Sequence, residues 1–447
     1  MIPPIDEFTP LPKQWEIIRD VRKNFDYSKG IHEVLLSGSV GSSKSLALAH
    51  LGITHCLLNP GAKVGIGRRT LPSLKDTLFQ TIVDHLGTNV PATPNKVRAS
   101  IQFDNGSIIR SFSWADAHFS KFRSHEFSGF LIEELTENED QDFYDEIAMR
   151  VGRMKHIKEK FIICATNPEE PEHCAYKYFI DTNNKRRHVY YSKTSDNPYL
   201  PASYISQLEE NLDPKMARRM IYGEWLAIRG EVIYHQYDEE KNRANESFTP
   251  NPKHPIHWCW DFNIGDGKPL STCFFQFIDG KFHIFRDIVI EGLRTEDMLE
   301  EANERGLLDH DTVYIINGDA TGKSRSTKSR HSDYEIIKNY LSNAKTLKGK
   351  PIRFEVQVPL SNPKVRARHN MVNAWLNNEK GSRRVIVYKD APTVHEGLKL
   401  TKLKPGADYI EDDSRHYQHV TTALGYGMWA KLEEIKSNEY QMRVWVR

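Results

Sequence analysis

The alternation of apolar and polar positions changes character twice along the chain. In the first half, apolar β-branched runs at 32–38, 63–67, 130–133 and 161–166 predict strands, and helical periodicity at 44–58 and 74–86 predicts helices between them. Strands alternating with helices predict a parallel sheet covered by helices. Within this half, the segment 101–110 (IQFDNGSIIR) sets Asn-Gly between alternating apolar residues, which predicts a hairpin and hence an inserted β-ribbon. From 229 to 255 the chain turns polar, rich in Asn, Glu and Lys, and ends on Pro250, Pro252 and Pro255, so it reads as a linker. Beyond it, strands are predicted at 257–262, 271–277, 282–290 and 313–319, followed by helices at 334–341 and 366–377. Three consecutive strands followed by mixed elements suit an RNase H-like sheet better than a second nucleotide-binding fold. The expected α/β organisation is therefore a first domain at 1–228, a linker at 229–255, a second domain at 256–430 and a tail at 431–447.

Length agrees with two cores, since 447 residues exceed the ~250 at which one core stops growing. Hydrophobic residues at 39% and charged residues at 27% are the balance of a soluble globular protein and exclude a disordered or fibrous chain. No apolar run approaches the ~18 residues of a membrane span, and the N-terminus MIPPIDEFTP lacks the regions of a signal peptide, so a cytoplasmic protein without a membrane partner is expected. Five scattered cysteines without a C-x-x-C pair indicate neither a disulfide framework nor a structural zinc site. A net charge of +1 excludes a uniformly basic surface, so any nucleic-acid contact must come from local clusters.

The first candidate chemistry lies at Val34–Ser45 (VLLSGSVGSSKS), a strand, a loop of small residues and a helix start. Gly38, Ser39, Val40, Gly41, Ser42 and Ser43 lack the bulk that would keep successive backbone N–H groups from phosphates. Lys44 can reach the terminal phosphates of ATP, and the Ser45 hydroxyl suits Mg2+. Ser43 stands where such a loop ordinarily has Gly. A carboxylate element should follow on a neighbouring strand, and GFLIEE at 129–134 supplies it: Glu133 at the metal-orienting position, in place of the usual Asp, and Glu134 polarising the attacking water. An arginine must neutralise charge on the transferring phosphoryl group. Arg68, Arg69 and Arg123 are candidates, with Arg123, shortly before the acidic strand, chosen as the finger.

The loop, the stretch 66–79 (IGRRTLPSLKDTLF), 122–126 (FRSHE), 165–168 (ATNP), 196–198 (DNP) and 223–225 (GEW) occur in the order seen in large terminases. Over nearly its whole length the chain resembles the terminase large subunit of tailed bacteriophages. The resemblance implies an ASCE or RecA-like P-loop ATPase domain followed by an RNase H-like nuclease domain, with ATP hydrolysis driving double-stranded DNA into a procapsid in the host cytoplasm. It implies as partners the portal protein, the small terminase subunit and other copies of the chain in a docked ring. It also implies that Gln14 touches adenine, and that Thr166 and Asn167 couple hydrolysis to movement.

Two-metal phosphodiester cleavage needs carboxylates from separated parts of the chain to converge on Mg2+, or on Mn2+. Asp261 ends the aromatic strand HWCWD, Asp319 ends the apolar run from Val313, and Asp412-Asp413 precede an apolar-patterned stretch at 420–429. Asp261, Asp319 and Asp413 are the expected catalytic acids, with Asp412 or Asp413 as third metal ligand, His416 and His419 as outside candidates and Glu291 as an alternative. Family members often bear an acid within the final helix, where this chain has Thr421 and Thr422. The basic run 322–331 is expected on DNA phosphates, extended by Lys364, Arg366, Arg368, Arg383 and Arg384. The rival reading is a DNA-bound ATPase that does not cut.

Overall fold

A computed structural model describes residues 2–114, 124–138, 140–227, 232–263, 268–292, 294–324, 331–404, 409–414 and 416–445, with side chains in the last helix up to residue 437. The chain forms two compact units, Met1–Leu208 with Lys215–Ile228, and Glu209–Pro214 with Arg229–Arg447.

The first unit is built on β1 (His32–Gly38), β2 (Lys63–Arg68), β3 (Ala92–Asn95), β4 (Ser100–Phe103), β5 (Ile108–Ser113), β6 (Gly129–Glu133), β7 (Phe161–Thr166) and β8 (Arg187–Ser192). Their order across the sheet is β3-β4-β5-β2-β6-β7-β1-β8. From β5 to β8 all pairings are parallel. The helix Lys44–Leu58 covers one face, burying Ala47, Leu48 and Leu51 in one core with Val34, Ile66 and Ile163. Phe130, Ile132 and Ile162 pack with Phe143 and Ile147 in a second core. Burial on both faces is why these strands read as continuous apolar runs rather than alternating ones.

Two sequence expectations are corrected here. The Asn-Gly turn forms, with Gly106 at φ +86°, and β4 pairs antiparallel with β5; yet β5 also pairs parallel with β2, so the ribbon is an extension of the main sheet rather than an insertion. The acidic strand β6 does not adjoin the loop strand β1, because β7 lies between them. Local periodicity carries no information on which distant strands pair.

The second unit contains β9 (Arg243–Ala244), β10 (Ile256–Asp261), β11 (Leu270–Ile278), β12 (Lys281–Ile290), β13 (Val313–Gly318), β14 (Arg353–Val356) and β15 (Val385–Tyr388), in the order β14-β13-β10-β11-β12-β15-β9. An antiparallel meander β10-β11-β12 is flanked by β13 and β14 parallel to β10, and by β15 and β9 parallel to β12. The three consecutive strands expected after the polar stretch form this meander. The helix Tyr417–Trp445 lies against one face, where Val420, Ala423, Leu424 and Met428 join Cys259, Cys273 and Phe275 in a core. A Cβ at Gly427 would fall 2.0 Å from the Cys259 Sγ, so only glycine lets the helix sit this close to β10. On the opposite face Trp258, Trp260 and Phe274 pack with Met298, Leu299 and Ile337. The polar stretch 229–255 contributes Ile233, Tyr234 and β9 to this unit, and residues 431–445 continue the terminal helix. Among the described residues no helix is long and apolar enough to cross a membrane.

Candidate active sites

In the first unit the small-residue loop turns between β1 and the helix Lys44–Leu58, with Gly41 at φ +76° and Ser43 at φ +64°. The left-handed turn at Ser43 sends Lys44 back across the loop. Its Nζ donates to the Gly38 carbonyl at 2.7 Å, the Ser39 carbonyl at 2.8 Å and Asn167 Oδ1 at 3.0 Å. Ser45 Oγ donates to Glu133 Oε1 at 2.7 Å, and Thr77 Oγ1 donates to the other oxygen of that carboxylate. Arg68 Nη1 lies 3.5 Å from Glu133 Oε2 while Nη2 is 2.6 Å from Glu137. Sequence reasoning assigned nothing to Thr77 or Glu137; the signal available for Thr77 was its place in the 66–79 stretch. Gln14 is buried, donates from Nε2 to the Ser43 carbonyl at 2.9 Å, and accepts from the Leu11 N–H at 2.9 Å. Thr166 Oγ1 accepts from the Thr136 N–H at 3.1 Å, tying the end of β7 to the turn after β6.

The electrostatics follow from burial. Desolvation pulls the Lys44 ammonium down to about 8, with Glu134 and Glu133 opposing it. Burial pushes the Glu134 carboxyl upward, Glu133 adds to that and Lys44 offsets it. The unit thus gathers an ammonium, a hydroxyl and two carboxylates at the loop, which are the groups that terminal phosphates and a divalent ion call for. Ser45 and Glu133, already in hydrogen-bond contact, fit a metal ion by their oxygen chemistry. Arg123 lies outside the described residues. Arg69 donates to the Glu137 carbonyl at 3.2 Å.

In the second unit β10 and β13 are adjacent and parallel, with Trp260 opposite Gly318, so Asp261 and Asp319 follow at the same level of the sheet. The Asp319 N–H donates to the Trp260 carbonyl at 3.0 Å. Both acids are largely buried. Burial raises the Asp261 carboxyl above its ordinary range, His419 and Asn263 oppose this, and the Asp319 charge adds to it. Asp319 Oδ1 accepts from Asn362 Nδ2 at 2.7 Å and from the Thr321 N–H at 2.8 Å. Asp261 Oδ2 accepts from Asn263 Nδ2 at 2.6 Å and from His419 Nδ1 at 3.0 Å. Two buried, mutually repelling carboxylates at adjoining strand ends fit divalent cations of the Mg2+ type.

The other predicted acids are less close to this pair. Asp413 reaches Asp261 through His419, whose Nε2 is 3.0 Å from Asp413 Oδ1, and Asp413 also binds Lys268 at 2.8 Å. Asp412 is bonded to the Ser414 N–H at 3.0 Å, and none of its described contacts is with the pair. Glu291 is exposed after β12, which β11 separates from β10. Residues 325–330 of the basic run lie outside the described residues, while Lys323 donates to the Leu360 carbonyl at 2.6 Å. Arg368 is not part of a DNA-facing track: it is 2% exposed and pairs with Glu411 at 2.9 Å. Its position was legible, because 368, 372 and 376 share one face of the helix Val365–Leu376 with buried Val372 and Leu376. Arg383 donates inward to Asn242 Oδ1 at 2.9 Å, and Arg384 stacks over Trp375 at 3.9 Å.

Residues 31–224 match the family described as phage terminase large subunit. The PBSX phage terminase large subunit of Bacillus subtilis (strain 168) is 28% identical over 45% of this chain and 52% of its own length, so the match spans about half of that relative. The large terminase of the thermophilic bacteriophage D6E has the same fold, with a TM-score of 0.64 at 14% identity over 94% of this chain and 98% of that one. The chain resembles phage large terminases. That likeness is one of sequence over residues 31–224 and of fold over nearly the whole chain. The D6E large terminase in complex with ADP matches with a TM-score of 0.63 at 13% identity, over 93% of this chain and 98% of that one.

Proposed function

We propose that the chain is a large terminase subunit in which the first unit hydrolyses ATP to move double-stranded viral DNA into a procapsid, and the second cuts that DNA into genome units. The observation that carries the reading is the pairing, in one chain, of the Lys44, Ser45 and Glu133 constellation with the Asp261 and Asp319 pair. In the first unit, backbone N–H groups from Gly38 to Ser43 and the Lys44 ammonium bind the phosphates, Ser45 and Glu133 would hold Mg2+, and Glu134 takes the proton of the attacking water. Gln14, bonded to the Ser43 carbonyl, would touch the adenine, as the family likeness implies, and Arg123 would act on the transferring phosphate. Asn167, bonded to Lys44, is placed to feel the loss of the terminal phosphate. In the second unit Asp261 and Asp319 would hold Mg2+ or Mn2+, which when bound supplies charge stabilisation and an activated water. Asn263 and Asn362 orient these carboxylates. Portal protein, small terminase subunit and a ring of copies are the partners that the family likeness brings to the proposal.

The test is plasmid digestion with Mg2+ or Mn2+ alongside procapsid-stimulated ATP hydrolysis. Asp261→Ala and Asp319→Ala should each abolish cutting and leave hydrolysis intact. Cutting that persists in both variants overturns the nuclease assignment and favours a DNA-dependent ATPase that does not cut.

A further inference from the structure

Asp413, His416 and His419, which the sequence offered as third ligands for the carboxylate pair, gather instead around a point of their own. His416 Nδ1 lies 3.3 Å from Asp413 Oδ1, and His419 Nε2 lies 3.0 Å from the same oxygen. The three ligand atoms lie within 4.8 Å of one another. Bonds of ~2.0–2.2 Å from one ion to imidazole nitrogen and carboxylate oxygen place neighbouring donors at such separations. His419, 6% exposed, turns its other nitrogen to Asp261 at 3.0 Å. A carboxylate on the remote nitrogen is the arrangement that fixes the tautomer of a metal-binding histidine. Gln418 brings a second and independent sign. Its amide nitrogen contacts Asp413 and lies 3.3 Å from His419 Nε2, yet its Oε1 is buried without a partner and the residue is only 4% exposed. A polar oxygen left without a bond inside a protein is costly, and a half-turn of the amide, which exchanges its oxygen and nitrogen, would present Oε1 to a water on an ion held by the cluster.

We propose that Asp413, His416 and His419 form a divalent-metal site of the two-histidine, one-carboxylate class, separate from the Asp261 and Asp319 pair and joined to it through the His419 ring. The donor set selects the ion. Two imidazoles favour Mn2+, Fe2+, Co2+ or Zn2+ over Mg2+, whereas the all-oxygen pair suits Mg2+. Asp413 offers Oδ1 while Lys268 occupies Oδ2 at 2.8 Å, so the ion binds against a neighbouring ammonium and its affinity is moderated. An occupied site holds the His419 ring in one orientation, and with it the hydrogen bond that aims Asp261. The site rests on its own donors and stands whether or not the second unit cuts DNA.

The experiment is a Co2+ titration of the metal-free full-length chain, read by visible absorption and by displacement with Zn2+ and Mg2+. Wild type and Asp319→Asn should each take up one Co2+ with nitrogen-ligand bands, displaced by Zn2+ and resistant to a large excess of Mg2+. His416→Ala and Asp413→Asn should each weaken that binding at least about tenfold, with unchanged circular dichroism. His416→Gln provides a second variant should the alanine chain not fold. Absence of an absorbing Co2+ site, or titrations of the His416 and Asp413 variants that match wild type, overturns the proposal. Plasmid cutting by Asp319→Asn is read in parallel: survival there sinks the nuclease assignment alone, while an unchanged His416 variant sinks the metal site alone.

Discussion

Ser43 occupies a left-handed backbone position, φ +64°, that costs a non-glycine residue roughly 1 kcal/mol. It recovers part of this through Asn197 Nδ2, which donates to Ser43 Oγ at 2.9 Å and to the Gly41 carbonyl at 2.7 Å. Ser43→Gly removes the strain and one hydrogen bond together, terms of similar size. Stability should therefore change by less than about 1 kcal/mol in denaturant melts, and ATP turnover should stay within a few fold; a large loss of turnover would assign the hydroxyl a role of its own. Lys44 yields a pH prediction. Burial holds its ammonium at about 8, below the ordinary 10.5. Between those values the unfolded chain binds more protons than the fold, so this group's contribution to stability rises with pH across that window. The charge that attracts phosphates is lost across the same window. Nucleotide affinity should fall as pH rises above about 8, approaching tenfold per pH unit, and Lys44→Met should bind weakly without that slope. Equilibrium binding of a fluorescent nucleotide from pH 7 to 9.5 measures it, and parallel profiles for the two chains would refute it.

At the scale of elements, the terminal helix depends on Gly427, where a methyl group would meet Cys259 Sγ and Phe275 at 2.0 and 2.9 Å. Gly427→Ala should destabilise the second unit by about 1–3 kcal/mol through overpacking, and Cys259→Ala in the same chain should recover part of the loss. Additive effects in calorimetry would show that the helix adjusts elsewhere. Much at this scale was legible. Strands β1, β6, β7 and β10 to β13 were readable because two-sided burial writes unbroken apolar runs, and the loop at 38–45 because its chemistry sits in consecutive residues. The position of β7 between β1 and β6 was not, since pairing partners lie far apart in sequence. Nor was the contact of His419 with Asp261, which depends on where a helix crosses a sheet rather than on any local pattern.

For the whole molecule, each unit closes hydrophobic cores of its own on both faces of its sheet and contains its own set of ionisable groups: Lys44, Ser45 and Glu133 in one, Asp261 and Asp319 in the other. Cooperative unfolding follows the compact unit, so two units of this size should give two calorimetric transitions rather than one. A ligand that binds only the folded form raises the stability of the unit that holds it, by about 2.7 kcal/mol at a hundred times its dissociation constant. ADP should therefore raise one transition and Mn2+ without nucleotide should raise the other. Lys44→Ala should cancel the ADP shift and leave the Mn2+ shift. Removing one of two buried carboxylates in Asp319→Asn should weaken the Mn2+ shift, leave the ADP shift, and raise the metal-free transition, because burial and the Asp319 charge both hold the Asp261 carboxyl above its ordinary range. One transition moved by both ligands would mean that the units fold as a single cooperative body, and that mutations at either site should disturb both activities.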